Sequence, residues 1–401
     1  MASIKEIEKK LAKQFEKIDD VAFFNQKKVL DAFAECKITT QCFAGTTGYG
    51  YDDQGRDKLA MLFSHVFKTE KAIVSPLITC GSHAISIVLY GLLRPNDTIL
   101  SISGELYDTL YDTLFGKENG SLENFGIKFK QIELKNNNFD KDLILKAIKK
   151  YKPKVVFVQR SRGYTSRKAL SIKQMQEIFA DIKTVKNPPF IVVDNCYGEF
   201  VEEKEPTEVG ADVIVGSLIK NPGGGLAPTG AYIAGTEKAI DMISTRFTSP
   251  SLLLEVGSYE LGYRMFYQGL FLAPHTVAQA LKGAMLVGGV MEEKGYKIIP
   301  SNDEQPDDII KSVVFNNEDE LVKFVQLVQK ISPIDSFIVP MPWDMPGYND
   351  KVIMAAGTFV SGASIELSCD SPIKKPYIAY FQGGLTYEHV KIMAEQLNKL
   401  Y

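Results

Sequence analysis

The chain has 401 residues, 45% of them hydrophobic and 24% charged, with a net charge of −3. That length can bury a large core and predicts two or three domains, while the near-neutral charge removes any broad electrostatic case for nucleic acid or a membrane surface as partner. Five cysteines (Cys36, Cys42, Cys80, Cys196 and Cys369) at scattered spacings, with no CxxC or Cys/His cluster, argue against a disulfide framework or a zinc site and for reduced thiols in the cytoplasm.

Taken in chain order, the first residues read as two polar helices, 3–18 and 21–36, whose interleaved lysines and glutamates mark a solvated face. The N-terminus is charged from its start, and no apolar run approaches the ~18 residues of a spanning helix. A tyrosine-bearing glycine loop, GTTGYGYDDQGRDKL, leads into a helix near 57–67. Short β-branched runs then alternate with helical periods. KAIVSP is a strand, SHAISIVLYGLL a helix, and DTILSI, KVVFVQ, FIVVDN, DVIVGSL and GAYIAG are strands, with helices such as SIKQMQEIFADIK between them. This alternation predicts a mostly parallel sheet covered on both faces. Two long helices follow, around 252–268 and 274–294. GYKIIPS and KSVVFN, a helix over Glu318–Ile331, the strands VIMAAGTF, ASIELS and PYIAYFQ, and a helix from Thr386 complete a smaller α/β unit. The expected division is a helical arm and loop over 1–55, a large domain over 56–290 and a small domain over 291–401.

In an open α/β sheet, ligands bind beyond the carboxyl ends of the strands. The polar residues there are Gly81, Ser82 and His83; Gly104, Glu105 and Tyr107; Arg160, Ser161 and Arg162; Asp194 and Asn195; and Ser217 and Lys220. Singly, each has an ordinary structural explanation: Ser82 as a helix cap, Tyr107 as a core aromatic, Lys220 as a solvated loop lysine. Together they form a set. The Gly81–Ser82 helix start and the Ser217 hydroxyl suit a phosphate, Tyr107 suits a flat ring, Asp194 is a carboxylate that must be paired, and a desolvated Lys220 has a lowered pKa and attacks carbonyls. These are the parts that hold pyridoxal 5'-phosphate, whose aldehyde takes a lysine and whose ring nitrogen takes an acid.

The segments TGYGYDDQGRDKL, QRSRGY, VVDNCYGEF, GSLIKNPGGGLAPTGAY and YFQGGLTYEH closely resemble the methionine gamma-lyase-like family, also labelled aluminium resistance protein, over nearly the whole chain. The resemblance implies the fold of the fold-type-I pyridoxal-phosphate transferases (the cystathionine gamma-synthase-like enzymes) and a set of residue roles. Lys220 is the Schiff-base lysine and proton shuttle, Asp194 the partner of the ring nitrogen, and Gly81, Ser82 and Ser217 hold the phosphate. Tyr107 stacks on the ring and serves as an acid toward the leaving thiol, while Arg160 or Ser161 sits near the ring hydroxyl. Tyr49 or Tyr51 reaches a neighbouring subunit's phosphate, which implies a homotetramer built as a dimer of dimers. DSPIKKPY places Lys374 where an arginine is expected for the substrate carboxylate, and a lysine lacks the bidentate grip.

The implied reaction is carbon–sulfur elimination on an amino acid, giving a thiol, a keto acid and ammonia. An aminotransferase on the same scaffold is the alternative. A metal-sequestering resistance protein is a third, weaker reading, because DEQPDD (303–308) reads as a solvated loop. The loop WDMPGYND (343–350), with the single tryptophan, reads as a packed surface segment rather than a substrate entrance.

Overall fold

Ser3 starts the first helix by a reciprocal cap: its hydroxyl accepts from Glu6 N, and the Glu6 carboxylate accepts from Ser3 N. The computed structural model describes residues 3–107, 110–116, 118–345, 348 and 350–401. The first helix, α1 (Ile4–Glu35), is continuous, where the sequence suggests two. Nothing between its halves breaks a helix, and Asp19 at the expected joint pairs with Lys282. α2 (Gln54–Val66) follows, capped by Asp53, whose carboxylate also accepts from Tyr263 Oη at 2.8 Å.

Seven strands make the large sheet: β1 (Lys71–Ser75), β2 (Thr98–Ser101), β3 (Lys128–Gln131), β4 (Val155–Gln159), β5 (Phe190–Asp194), β6 (Val213–Ser217) and β7 (Ala231–Gly235). Their spatial order is β1-β7-β6-β5-β4-β2-β3, with β3, β2, β4, β5 and β6 parallel and β7 antiparallel to both its neighbours. The edge strand β3, mostly exposed and rich in lysine, carries no apolar run that would announce it. α3 (Gly81–Leu92), α4 (Tyr111–Leu114), α5 (Lys141–Tyr151) and α6 (Ile172–Lys183) connect the strands, and α7 (Glu237–Ser244) follows β7. Both faces of the sheet are buried. Val156, Val158, Ile191, Val193 and Ile214 enter one core, and Val155, Phe157, Val192, Val213 and Val215 the other. Registration of Gln159 with Asp194, and of Asp194 with Val215, brings the chain after β4, β5 and β6 out at one edge.

One helix, α8 (Arg264–Glu293), replaces the two expected in the middle of the chain. Residues 252–262 form turns, including Gly257 and Gly262 at positive φ. Pro274 lies inside the helix and does not end it. By length and composition α8 is long and apolar enough to cross a membrane, contrary to the sequence reading, but most of it is buried in the protein core. It leads to the second sheet: β8 (Lys297–Ile299), β9 (Ile310–Phe315), β10 (Val352–Ala355), β11 (Ser368–Pro372) and β12 (Tyr377–Gln382), in the antiparallel order β10-β11-β12-β9-β8, with α9 (Glu318–Ile331) and α10 (Tyr387–Leu400). The expected strand ASIELS is mostly turn, and β11 begins at its last residue. The Glu366 carboxylate accepts from Phe359 N and Val360 N at 2.9 and 3.0 Å, and this local pairing competes with a ladder.

The glycines after Lys220 meet α8 backbone to backbone. A Cβ on Gly224 would lie 2.3 Å from Gly269 O, and a Cβ on Gly269 would lie 2.2 Å from Gly223 O. Neither backbone can yield as a flexible side chain would. Gly269→Ala should therefore cost about 1–3 kcal/mol of stability by overpacking, read as a lowered melting temperature; an unchanged melt would contradict this close approach.

Candidate active site

Lys220 follows β6 by three residues and enters a short 3₁₀ turn, Asn221–Gly223, with Gly224 and Gly225 at φ +55° and +79°. Its Nζ lies 4.0 Å from the centroid of the Tyr197 ring. Tyr197 sits in the turn after β5 with φ +72°, a left-handed conformation uncommon for a tyrosine. Lys220, Asp194 and Tyr197 are each partly accessible, and the cavity they line is where that surface is exposed. Asp194 Oδ1 accepts from Cys196 N at 3.2 Å. Burial raises its carboxyl pKa, with Lys220 acting in the opposite direction.

The amine departs from the sequence expectation. Burial alone would depress it, but Cys196, Tyr197 and Asp194 around it outweigh burial, and its pKa is raised. Burial raises the Cys196 thiol and the Tyr197 hydroxyl as well, so both keep their protons at neutral pH. Lys220 is an ammonium held by acids in this state of the site.

The start of α3 closes one side. A Cβ on Gly81 would sit 3.6 Å from Cys196 Sγ and 3.7 Å from Ser217 Cβ, so Gly81, Ser217 and the Asp194 turn are neighbours. Ser82 is the next residue of α3, and Ser217 is buried at the end of β6. His83 lies outward, its Nδ1 accepting from Thr79 N. Tyr107 lines the cavity. Its backbone N donates to Gln159 Oε1 at 2.8 Å, and its hydroxyl meets that of Tyr348. Burial, then Tyr348 and Tyr197, push its pKa far above the ordinary phenol value, so it keeps its proton. Lys220, Asp194, Tyr107, Ser161, Gly81 and Ser217 are thus brought together.

Other predicted residues are placed elsewhere. Arg160 is fully buried and does not line the cavity, donating to Asn195 Oδ1, Gly198 O and Glu202 Oε1 at 2.8–2.9 Å and lying 3.8 Å from Glu205. Ser161 lines the cavity, but its hydroxyl donates to Asp308. Tyr49 and Tyr51 stack on each other at 5.4 Å and are exposed. Lys374 is half-exposed, pairs with Asp350 at 2.9 Å and does not line the cavity. The 303–308 segment is not simply solvated: Asp308 is buried and receives both Arg162 and Ser161. Trp343 is exposed and bridged to Val352, while the same loop delivers Tyr348 to Tyr107; Pro346, Gly347 and Asn349 lie outside the described residues.

Sequence reasoning passed over Tyr197, Tyr164, Asp370, Tyr380 and Gln382, all of which line the cavity. The last three come from the second sheet, where an alternating pattern directs side chains inward without showing what they face. Glu199, one turn beyond Tyr197, is fully buried; its Oε1 accepts from Tyr232 Oη at 2.9 Å and its Oε2 has no partner.

The family model for methionine gamma-lyase matches residues 1–400. The Bacillus subtilis protein YnbB is 46% identical, covering 96% of this chain and 92% of its own. A solved carbon-sulfur lyase involved in aluminum resistance, from Clostridium novyi NT, is 46% identical with a TM-score of 0.95, covering 99% of this chain and 95% of that one. The pyridoxal-5'-phosphate dependent protein YhfS from Escherichia coli, 15% identical, has a TM-score of 0.64 over 96% of this chain and 97% of its own, a likeness of fold.

Burial pushes the Glu199 carboxyl up to about 8 from 4.5. A folded pKa above the unfolded one stabilises the fold fully below pH ~4.5, and that contribution is lost as pH rises to ~8. Glu199→Gln, neutral throughout, should flatten the decline of unfolding free energy between pH 5 and 8, by up to about 1.4 kcal/mol per pH unit. Denaturant melts across that range check this; parallel curves for the two proteins would refute it.

Proposed function

As the chain belongs to the methionine gamma-lyase family, we propose that it is a pyridoxal-phosphate-dependent carbon–sulfur lyase acting on a sulfur-containing amino acid. The observation that carries this is the Lys220 amine, facing the Asp194 carboxylate in one cavity beside the α3 start. The donor set fits the cofactor. Backbone N–H groups at Gly81 and Ser82, with the Ser217 hydroxyl, suit its phosphate, Asp194 its ring nitrogen, Tyr107 its ring face and Lys220 its aldehyde. When bound, the cofactor supplies an electron sink for the charge left as the substrate loses its Cα proton.

The chain's own residues supply the rest. The Lys220 amine accepts the Cα proton. Asp194, a carboxylate in a buried turn, keeps a proton on its ring partner. Tyr107 retains its proton at neutral pH and holds it for the departing sulfur. In sum, a sulfide amino acid and water give a thiol, a 2-oxo acid and ammonium. Methionine, with the sulfur at the γ position, is one member of that substrate class. The exposed Tyr49–Tyr51 pair supports a homo-oligomer, a dimer of dimers in which this loop meets a neighbouring subunit's cofactor phosphate. The unpaired cysteines fit a cytoplasmic setting.

The purified protein should absorb near ~420 nm, borohydride should fix the cofactor's mass on Lys220, and thiol and 2-oxo acid should appear in equal amounts. Lys220→Ala should retain no fixed cofactor and lose at least about 10³-fold in turnover. Amino-group transfer to an added 2-oxo acid, with no thiol released, would overturn the lyase reading in favour of an aminotransferase.

A further inference from the structure

The Lys220 amine stands over an aromatic ring rather than against a counter-ion. Among the described residues its Nζ makes no salt bridge, and it lies 4.0 Å from the centroid of the Tyr197 ring. The five other lysine–ring pairs among the described residues are wider, at 4.9–5.9 Å. The remaining groups around the amine act on it through space. Asp194 ends β5, Cys196 follows in the turn, Glu199 lies one turn beyond Tyr197, and Asp370 lines the acidic wall that the second sheet gives the cavity. Acids at a distance favour an ammonium without fixing where it sits. A ring face attracts an ammonium along one direction, and most strongly where water is excluded.

Tyr197 is held in that place against its own backbone preference. Its φ of +72° is left-handed, a conformation that a tyrosine keeps only where the surrounding structure over-determines it. The turn does so. Asn195 N donates to Val215 O at 2.9 Å, Cys196 N to Asp194 Oδ1 at 3.2 Å, and Gly198 N to Asn195 O at 2.9 Å. Tyr197 O accepts from Ile309 N at 3.3 Å, and a Cβ on Gly198 would lie 2.5 Å from Arg160 Nη1. The ring also packs with Ile310, Ile378 and Tyr380 of the second sheet. Strained backbone that persists at a site is a pointer to function, and here what the strained residue presents is a ring face under the lysine.

We propose that the Tyr197 ring is the seat of the free Lys220 ammonium, a positioning residue that receives the amine once it has taken the substrate's Cα proton. This rests on the pyridoxal-phosphate part of the proposed function and not on its sulfur chemistry. In the proton transfer the Cα–H bond breaks, its electron pair stays with the substrate, and the proton turns a neutral amine into an ammonium. The negative face of the ring attracts that product and not the neutral amine. It therefore favours the proton-bearing lysine and returns it each time to one position. The contact needs the ring and not the tyrosine hydroxyl.

The test has two arms. The first is a double-mutant cycle on the full chain without cofactor, in which Lys220→Met, Tyr197→Leu and the double variant are unfolded in denaturant. Lys220 and Tyr197 should be coupled by at least about threefold in the unfolding equilibrium constant. Lys220→Met made in Tyr197→Phe, which keeps the ring, should lose as much stability as it does in wild type. The second arm follows exchange of the Cα hydrogen of alanine and norleucine, which have no sulfur to lose, with D2O on the holoenzyme. Tyr197→Leu should slow this exchange at least about threefold, and Tyr197→Phe should retain most of it. Absence of coupling overturns the proposal and leaves the lyase reading intact. Coupling that Tyr197→Phe abolishes belongs to the hydroxyl and overturns it as well, whether or not Tyr197→Leu folds. Coupling with unslowed exchange in Tyr197→Leu overturns the positioning role. A wild type that exchanges neither amino acid overturns the proton transfer on which the seat depends. Coupling and slowed exchange, with no thiol from any sulfur amino acid, support the seat and overturn the lyase reading.

Discussion

Lys220 lines the cavity from a turn in which Asn221 and Pro222 are followed by three glycines without side chains. Gly223 and Gly224 lie against the backbone of α8 at Gly269, and Gly225 against Leu385. Two of the three adopt positive φ, where an L-residue is strained. This close approach sets the direction in which the chain leaves β6, and so where the lysine side chain emerges. Ser217, Asp194 and the α3 start then follow from strand register, because β4, β5 and β6 end together.

Around that lysine the protein has gathered acids rather than simply excluding water. Asp194, Cys196 and Tyr197 raise its pKa, and Asp370 lines the same cavity. The desolvation that would depress an isolated buried lysine is outweighed. An ammonium held in this way is a stable resting state. It becomes a base or nucleophile when a ligand redistributes the surrounding charge, so reactivity belongs to the filled cavity rather than to the lysine alone.

Much of this was legible in the sequence, for identifiable reasons. The strands of the large sheet, buried on both faces, read as β-branched runs, and the polar residues directly after them were found by position. Lys220 and Asp194 stood out because a charge at the end of an apolar strand needs an explanation. The misreadings also have causes. α1 and α8 were each divided in two, since an Asp pair and a proline look like boundaries until partners such as Lys282 are seen. Of Arg160 and Ser161, both expected near the ring hydroxyl, Ser161 lines the cavity while Arg160 turns to Glu202, Glu205 and Asn195, because proximity in sequence does not reveal which way a guanidinium turns. Asp370 and Gln382 were missed because their significance depends on one sheet facing another, which no local pattern encodes.

A single helix joins the two walls. The N-terminal half of α8 supports the glycine turn behind Lys220, through Gly269 and through Thr276 Oγ1, which donates to Gly224 O. Its C-terminal half meets the second sheet at Gly288, where a Cβ would lie 2.9 Å from Ile298, and meets α1 at Gly289, where a Cβ would lie 2.7 Å from Ile7. With glycine contacts at both ends and a buried middle, the helix has little freedom to loosen at one end alone. Amide hydrogens of its central turns should accordingly exchange with solvent only through the largest openings of the molecule, and the lysine wall and the acidic wall belong to one cooperative unit rather than to two lobes that breathe independently.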